Sequence, residues 1–200
     1  MKSAFLLAIG SAAVSVSAAF VHPGLLHTAA DLTRVTNHVK AGDEPWLTGW
    51  NKLINSSYAQ SSYTPHPVQL LCRGSPASCS ENYANIFRDA AAAYALAIRW
   101  KITGDAAYGT AAANILNGWS STMTEISGNS DKYLASGLYG YQLANAAEIL
   151  RDFSGFTAAN MQAMIDLLVN VFYPMNHRFL IEHNDAAVDH YWANWDLCNM

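Results

Sequence analysis

The chain has 200 residues, 52% of them hydrophobic and 13% charged, with a formal net charge of −4 at neutral pH. That length is enough for one domain with a real core, and the acidic balance argues against nucleic-acid binding through a broad basic surface. It leaves an anionic substrate open, because a cleft can be locally positive on an acidic protein.

The first residues, MKSAFLLAIGSAAVSVSAA, combine Lys2, an apolar stretch from Ala4 to Ile9 and then small residues. Ser17 and Ala19 suit the −3 and −1 positions of a cleavage site before Phe20, so residues 1–19 are predicted to be a secretory signal peptide, too short for a membrane anchor. Residues 20–200 are then a secreted, extracellular domain with no membrane partner.

Cysteine usage fits that compartment. Cys72 and Cys79 flank a turn marked by Gly74 and Pro76, and in an oxidising environment a local disulfide is the expected state, free thiols in a loop being the alternative. Cys198 is left over. Asn55-Ser56-Ser57 has the pattern of an N-glycosylation acceptor.

The rest reads as all-α. TAADLTRVTNHVK predicts one helix, broken at Gly42, and a second follows with Pro45 in its first turn. Residues 55–80, rich in Ser, Tyr and Pro, read as a long loop held by the disulfide, and such loops are often functional. A third helix is expected from a cap at Ser80, with Ile86, Ala90, Tyr94 and Ala97 at helical spacing, to Gly104. Asp105 starts the next. Another runs from near Ser130 to Gly155, and TAANMQAMIDLLVNVFY gives one ending at Pro174. A last helix is expected from about Asp189 or His190. Short connections such as TGD and SGFT imply stacked antiparallel hairpins. No alternating pattern is long enough for a major sheet.

The stretch RDAAAAYALAIRWKITGDAAYGTAAANILNGW resembles the helical hairpin of the alginate-lyase-like polysaccharide lyases, and the closing HYWANWDLCNM is similar to the Tyr-Trp-Ala-x-Trp segment of the same families, including secreted fungal members. The likeness spans roughly residues 22–200. It implies an incomplete (α/α) toroid about twice this length, of which this chain would be the N-terminal half, and β-elimination on an anionic polysaccharide, a 1,4-linked polyuronate of the alginate or glucuronan type.

Such a reaction needs the sugar carboxylate neutralised, the C5 proton removed and the departing O4 protonated. Asn, protonated His and Arg serve the first task, His or Tyr the other two, and no cofactor is required in principle. His183, Asn184, His190 and Asn194 are the expected catalytic set. His190 and Asn194 are four apart and share a helix face, while His183 and Asn184 precede the helix, whose N-terminus favours anions. The family places an Asn–His pair just before its Tyr-Trp-Ala-x-Trp helix. Here the pair is reversed, with six residues between Asn184 and Tyr191, so either His183 or His190 fills the role. Tyr191 and Trp195 are candidates to stack on sugar rings, with His177, Arg88, Tyr139 and Tyr141 as further substrate contacts. Core packing is the competing reading for each aromatic residue.

Two other chemistries suit the same segment. Glu182, Asp185, Asp189 and Asp196 could serve a glycoside hydrolase. A metal held by His177, His183 and His190 fits less well, since spacings of six and seven differ from the usual zinc patterns. A non-catalytic carbohydrate-binding protein is the third alternative.

Overall fold

The computed structural model describes residues 20–75 and 77–182. They are predominantly helical and belong to the all-α class. His183, Asn184, His190, Tyr191, Asn194 and Trp195, the acids Asp185, Asp189 and Asp196, and the expected last helix lie outside the described residues, as does the predicted signal peptide.

Helix α1 (Ala29–Ala41) opens on a capping box in which Thr28 and Asp31 exchange hydrogen bonds, and Gly42 closes it at φ 78°, the left-handed conformation that glycine adopts without strain. Helix α2 (Trp46–Asn55) starts one residue later than the sequence suggests, so Pro45 stands at its N-cap and not in its first turn. The segment expected to be one long loop is more structured than its composition implies. It contains a 3₁₀ turn (Ser57–Ala59) and a strand, β1 (Leu70–Arg73), which pairs in parallel with β2 (Glu125–Gly128). The Cys72–Cys79 disulfide ties this strand, from its third residue, to the turn that follows it.

Helix α3 (Ala84–Thr103) is the hub. It packs on α1, α4 (Ala106–Thr122), α5 (Asp131–Ile149) and the 3₁₀ turn, while α4 also packs on α6 (Ala158–Leu167). Its alanines explain how one helix serves so many neighbours. Ala90, Ala92, Ala93 and Ala97 are buried, and their small side chains permit close backbone approach on several sides. Leu96, Ile115, Leu116, Leu143 and Trp119 fill the space between the layers. Gly104 and Asp105 form the tight α3–α4 connection as their residue types require, Gly104 at φ 75° and the Asp105 carboxylate accepting from the Ala107 amide.

Three further helix boundaries differ from the sequence reading. Ser80 does not cap α3, because the amides of Asn82 and Tyr83 are directed to the Cys72 carbonyl and hold the chain against β1 until Ala84. Helix α5 stops at Ile149 and not near Gly155. A 3₁₀ turn (Leu150–Asp152) follows, and Phe153 then turns inward onto Trp100. The helix begun at Ala158 does not end at Pro174. It passes through a π turn (Leu168–Phe172) into α7 (Tyr173–Glu182). Proline lacks an amide and clashes with the carbonyl four residues back. The widened turn just before Pro174 lets the rod absorb both defects and continue.

Candidate functional site

At the strand end of α3 and α5, Arg73 reaches from β1 into a ring of aromatics. Its Nη1 donates to the Tyr139 hydroxyl at 2.9 Å. The guanidinium carbon lies 4.9 Å from the Tyr83 ring centre and 5.8 Å from that of Tyr139, and Phe87 meets Tyr139 edge-on at 6.2 Å. Among the described residues no carboxylate lies within ion-pair distance of Arg73. Among those residues its charge meets π faces and a phenol, the cation–π contacts being worth about 0.5–2 kcal/mol each. A cation so held is free to take an anionic group bidentately.

Tyr139 is 2% exposed. Burial raises its phenol pKa above the ordinary value, and the Arg73 charge opposes that shift without cancelling it. Tyr139 therefore stays protonated at neutral pH. Because Arg73 donates to its oxygen, the phenol's own hydrogen has no acceptor among the described residues.

Tyr141, two residues on, points elsewhere, since two residues turn a helix by about 200°. It is 45% exposed and lines an open groove of about 440 Å³ between α5 and the α6–α7 rod. Gly137, Gly140 and Ala144 form one wall, with Asn176 and His177 across from them. Asn176 also braces the helices, its Oδ1 accepting from Ser136 Oγ at 2.5 Å, and His177 leans on Tyr173 with ring centres 5.6 Å apart.

The residues singled out in the sequence thus separate. Tyr141 and His177 share the groove. Tyr139 is not at an open cleft wall but in the Arg73 cluster, where it packs as core and keeps a polar tip. Arg88 is exposed on α3, in neither place, near enough to Tyr63 to favour the ionised form of that phenol.

Sequence reasoning missed Arg73, Tyr83 and Phe87. Arg73 stands in LCRGSPASC, which was legible only as a disulfide loop, and nothing local reveals that a strand aims it at α5. It also missed the N-terminal segment. His22 and the Gly24 amide bond Glu148, the Leu26 amide donates to Asn145 Oδ1 at 3.1 Å, and His27 pairs with the Tyr94 hydroxyl. Burial raises the pKa of Tyr94, with Tyr141 close enough to add to the shift. This strap and α3 therefore bring a second His–Tyr pair close to Tyr141, which lines the groove. Among the described residues no group of three His, Cys, Asp or Glu side chains is placed to hold a metal, and no helix is long and apolar enough to cross a membrane.

Comparison of the chain with protein-family models, with curated proteins and with solved structures returned no match.

Proposed function

We propose that the protein is a secreted polysaccharide lyase that cleaves a 1,4-linked polyuronate by β-elimination. The observation that carries this reading is the Arg73–Tyr139 pair, a guanidinium that has no carboxylate partner among the described residues, bonded to a phenol that keeps its proton. Arg73 receives the sugar carboxylate and stabilises the charge that grows there as the C5 proton leaves. Tyr139 gives its proton to O4 as the C4–O4 bond breaks and the C4–C5 double bond forms. The base is His183 or His190, with Asn184 and Asn194 on the carboxylate, all by the resemblance described above.

Two further features support the reading. The ring contact of Tyr133 with Phe179, centres 5.4 Å apart, sets the last turns of α7 beside the first turn of α5. Gly74, next to Arg73, lies against Asn129, just ahead of that same turn. The last described turn of α7 thus lies toward the end of α5 where Arg73 stands. The packing of α1 on α3, α3 on α5 and α4 on α6 also suits successive hairpins of an incomplete (α/α) toroid.

The test is ultraviolet absorbance of unsaturated uronate ends during incubation of the full chain with alginate, glucuronan and pectate. A rise on one polymer that is lost in Tyr139→Phe and Arg73→Ala supports the assignment. New reducing ends without unsaturation would overturn it in favour of a hydrolase, and neither signal would leave a carbohydrate-binding protein.

A further inference from the structure

We infer that Asn55 is an N-glycosylation site whose glycan stands at the end of α3 remote from the Arg73–Tyr139 pair. This rests on the secretion part of the proposed function but on none of its chemistry. Asn55-Ser56-Ser57 is the only Asn-x-Ser/Thr triplet in the chain, and the fold presents it in the form the modification needs. Asn55 is the last residue of α2. Ser56, at φ −70° and ψ 136°, turns the backbone out of the helix. Asn55 and Ser57 are both exposed. The Asn55 side-chain amide makes no hydrogen bond to any described residue. Beside it lies an open trough along α2, lined by Thr48, Asn51, Lys52 and Ser56, with room for the first sugar.

The surroundings hold this corner still without covering it. Arg99 Nη1 donates to the Ala59 carbonyl at 2.6 Å and reaches the Ile54 carbonyl at 3.5 Å, and its guanidinium lies 4.0 Å from the Tyr108 ring centre. The Gln60 amide donates to the Ile54 and Ser56 carbonyls at 2.8 and 2.7 Å. These bonds pin the backbone on both sides of the triplet and leave its two functional side chains to solvent. Arg99 and Tyr83 are both on or next to α3, sixteen residues apart, or about 24 Å along the axis. A glycan at Asn55 therefore extends from the corner opposite Arg73.

In the transfer, Asn55 Nδ2 forms a bond to the anomeric carbon of a polyprenyl-pyrophosphate-linked oligosaccharide. The pyrophosphate leaves with the bonding electron pair and the amide loses one proton. The Ser57 hydroxyl, two residues on, orients the amide.

The experiment is secretory expression of the full chain in a yeast host, once behind its own first residues and once behind a host leader, followed by peptide mass mapping before and after amidase release of N-glycans. The expected result is a glycan on the Asn55 peptide, converted to Asp by the amidase. It should be absent in both Asn55→Gln and Ser57→Ala, with the lyase rate unchanged within twofold in either variant. An unmodified Asn55 in chain recovered from the medium overturns the inference. Failure of the chain's own leader, with Asn55 glycosylated behind the host leader, overturns the secretion reading and leaves the site standing. A glycosylated wild type with a rate altered tenfold in both variants overturns the placement remote from the catalytic pair.

Discussion

Asp89 and Trp119, thirty residues apart on neighbouring helices, are joined by an indole-to-carboxylate hydrogen bond of 2.7 Å with both side chains sealed from solvent. The same carboxylate accepts from the Tyr63 hydroxyl at 2.7 Å and the His66 amide at 2.6 Å, with the His66 ring at 3.4 Å. A buried charge is tolerated only when its lone pairs are used. Here their use ties the irregular segment after α2 to the α3–α4 hairpin. Asp89→Asn replaces an acceptor with a donor opposite Trp119 or Tyr63 and should cost about 3 kcal/mol. For a domain of this size that lowers Tm by about 6–12 °C. Calorimetry of the variant checks it, and a Tm unchanged within a degree would show that the carboxylate is dispensable. Tyr63, whose pKa is raised by burial and then by Asp89, should resist alkaline ionisation in the wild type and ionise more readily in the variant.

Tyr139→Phe removes a proton and one hydrogen bond but keeps the ring against Phe87 and Arg73. It should lower kcat at least about 100-fold on the responsive polyuronate, the lower range for loss of a general acid, while stability falls by only about 1 kcal/mol. Arg73→Lys keeps the charge and loses the planar fork, so KM should rise together with a fall in kcat. Steady-state kinetics on the purified full chain separates the two effects.

Glu148 couples the N-terminal strap to pH. Burial tends to raise its pKa, but hydrogen bonds from Arg151, His22 and the Gly24 amide more than compensate, so the folded value lies below the ordinary carboxylate value. A carboxylate with a depressed folded pKa stabilises the fold above its unfolded pKa and loses that contribution as pH falls through the folded pKa. Wild-type stability should therefore drop on acidification below about pH 4.5, and Glu148→Gln should flatten that part of the profile. Denaturant midpoints measured at stepped pH supply the comparison. Parallel profiles would assign the acid sensitivity to other groups.

Gly140 faces Phe172, and a Cβ there would stand 2.9 Å from the Phe172 Cδ1 atom. Phe172 is 2% exposed and belongs to the π turn, so it has little room to retreat. Gly140→Ala should destabilise by about 1–3 kcal/mol through overpacking, despite alanine's better helix propensity. Gly49→Ala, on α2 where a Cβ would meet nothing within 4 Å, should be neutral or stabilising by up to about 1 kcal/mol. Paired unfolding curves distinguish packing from propensity.

These sites also show which information was local. The helices were legible because their signals lie within one or two turns, such as the Gly42 and Gly104 stops, the start at Asp105 and the helical spacing of Ile86, Ala90, Tyr94 and Ala97. The disulfide was legible for the same reason. What was not legible depends on partners far away in sequence. Strand β1 exists because Gln69–Arg73 meets Thr124–Gly128 across the α3–α4 hairpin. Ser80 loses its capping role because that strand claims the next amides. Pro174 reads as a stop unless the π turn before it is known. The Arg73–Tyr139 pair joins residues 66 positions apart, so the sequence offered Tyr139 only as one of several substrate contacts and Arg73 not at all.

The parallel ladder joining β1 to β2 has a consequence for how the molecule opens. An isolated two-stranded ribbon is marginal in water, and this one is four residues long on each side. Its pairing persists because the whole α3–α4 hairpin lies between the strands and holds them in register from Leu70 opposite Glu125 to Arg73 opposite Gly128. The ladder amides should therefore exchange with solvent deuterium only when the hairpin separates, at a free energy matching the buried amides around Leu96 and Ile115 and not the lower value of a fraying edge. Four backbone pairs at the margin of a helical protein thus serve as a latch, and their exchange rate is a direct gauge of how often the core behind them comes apart.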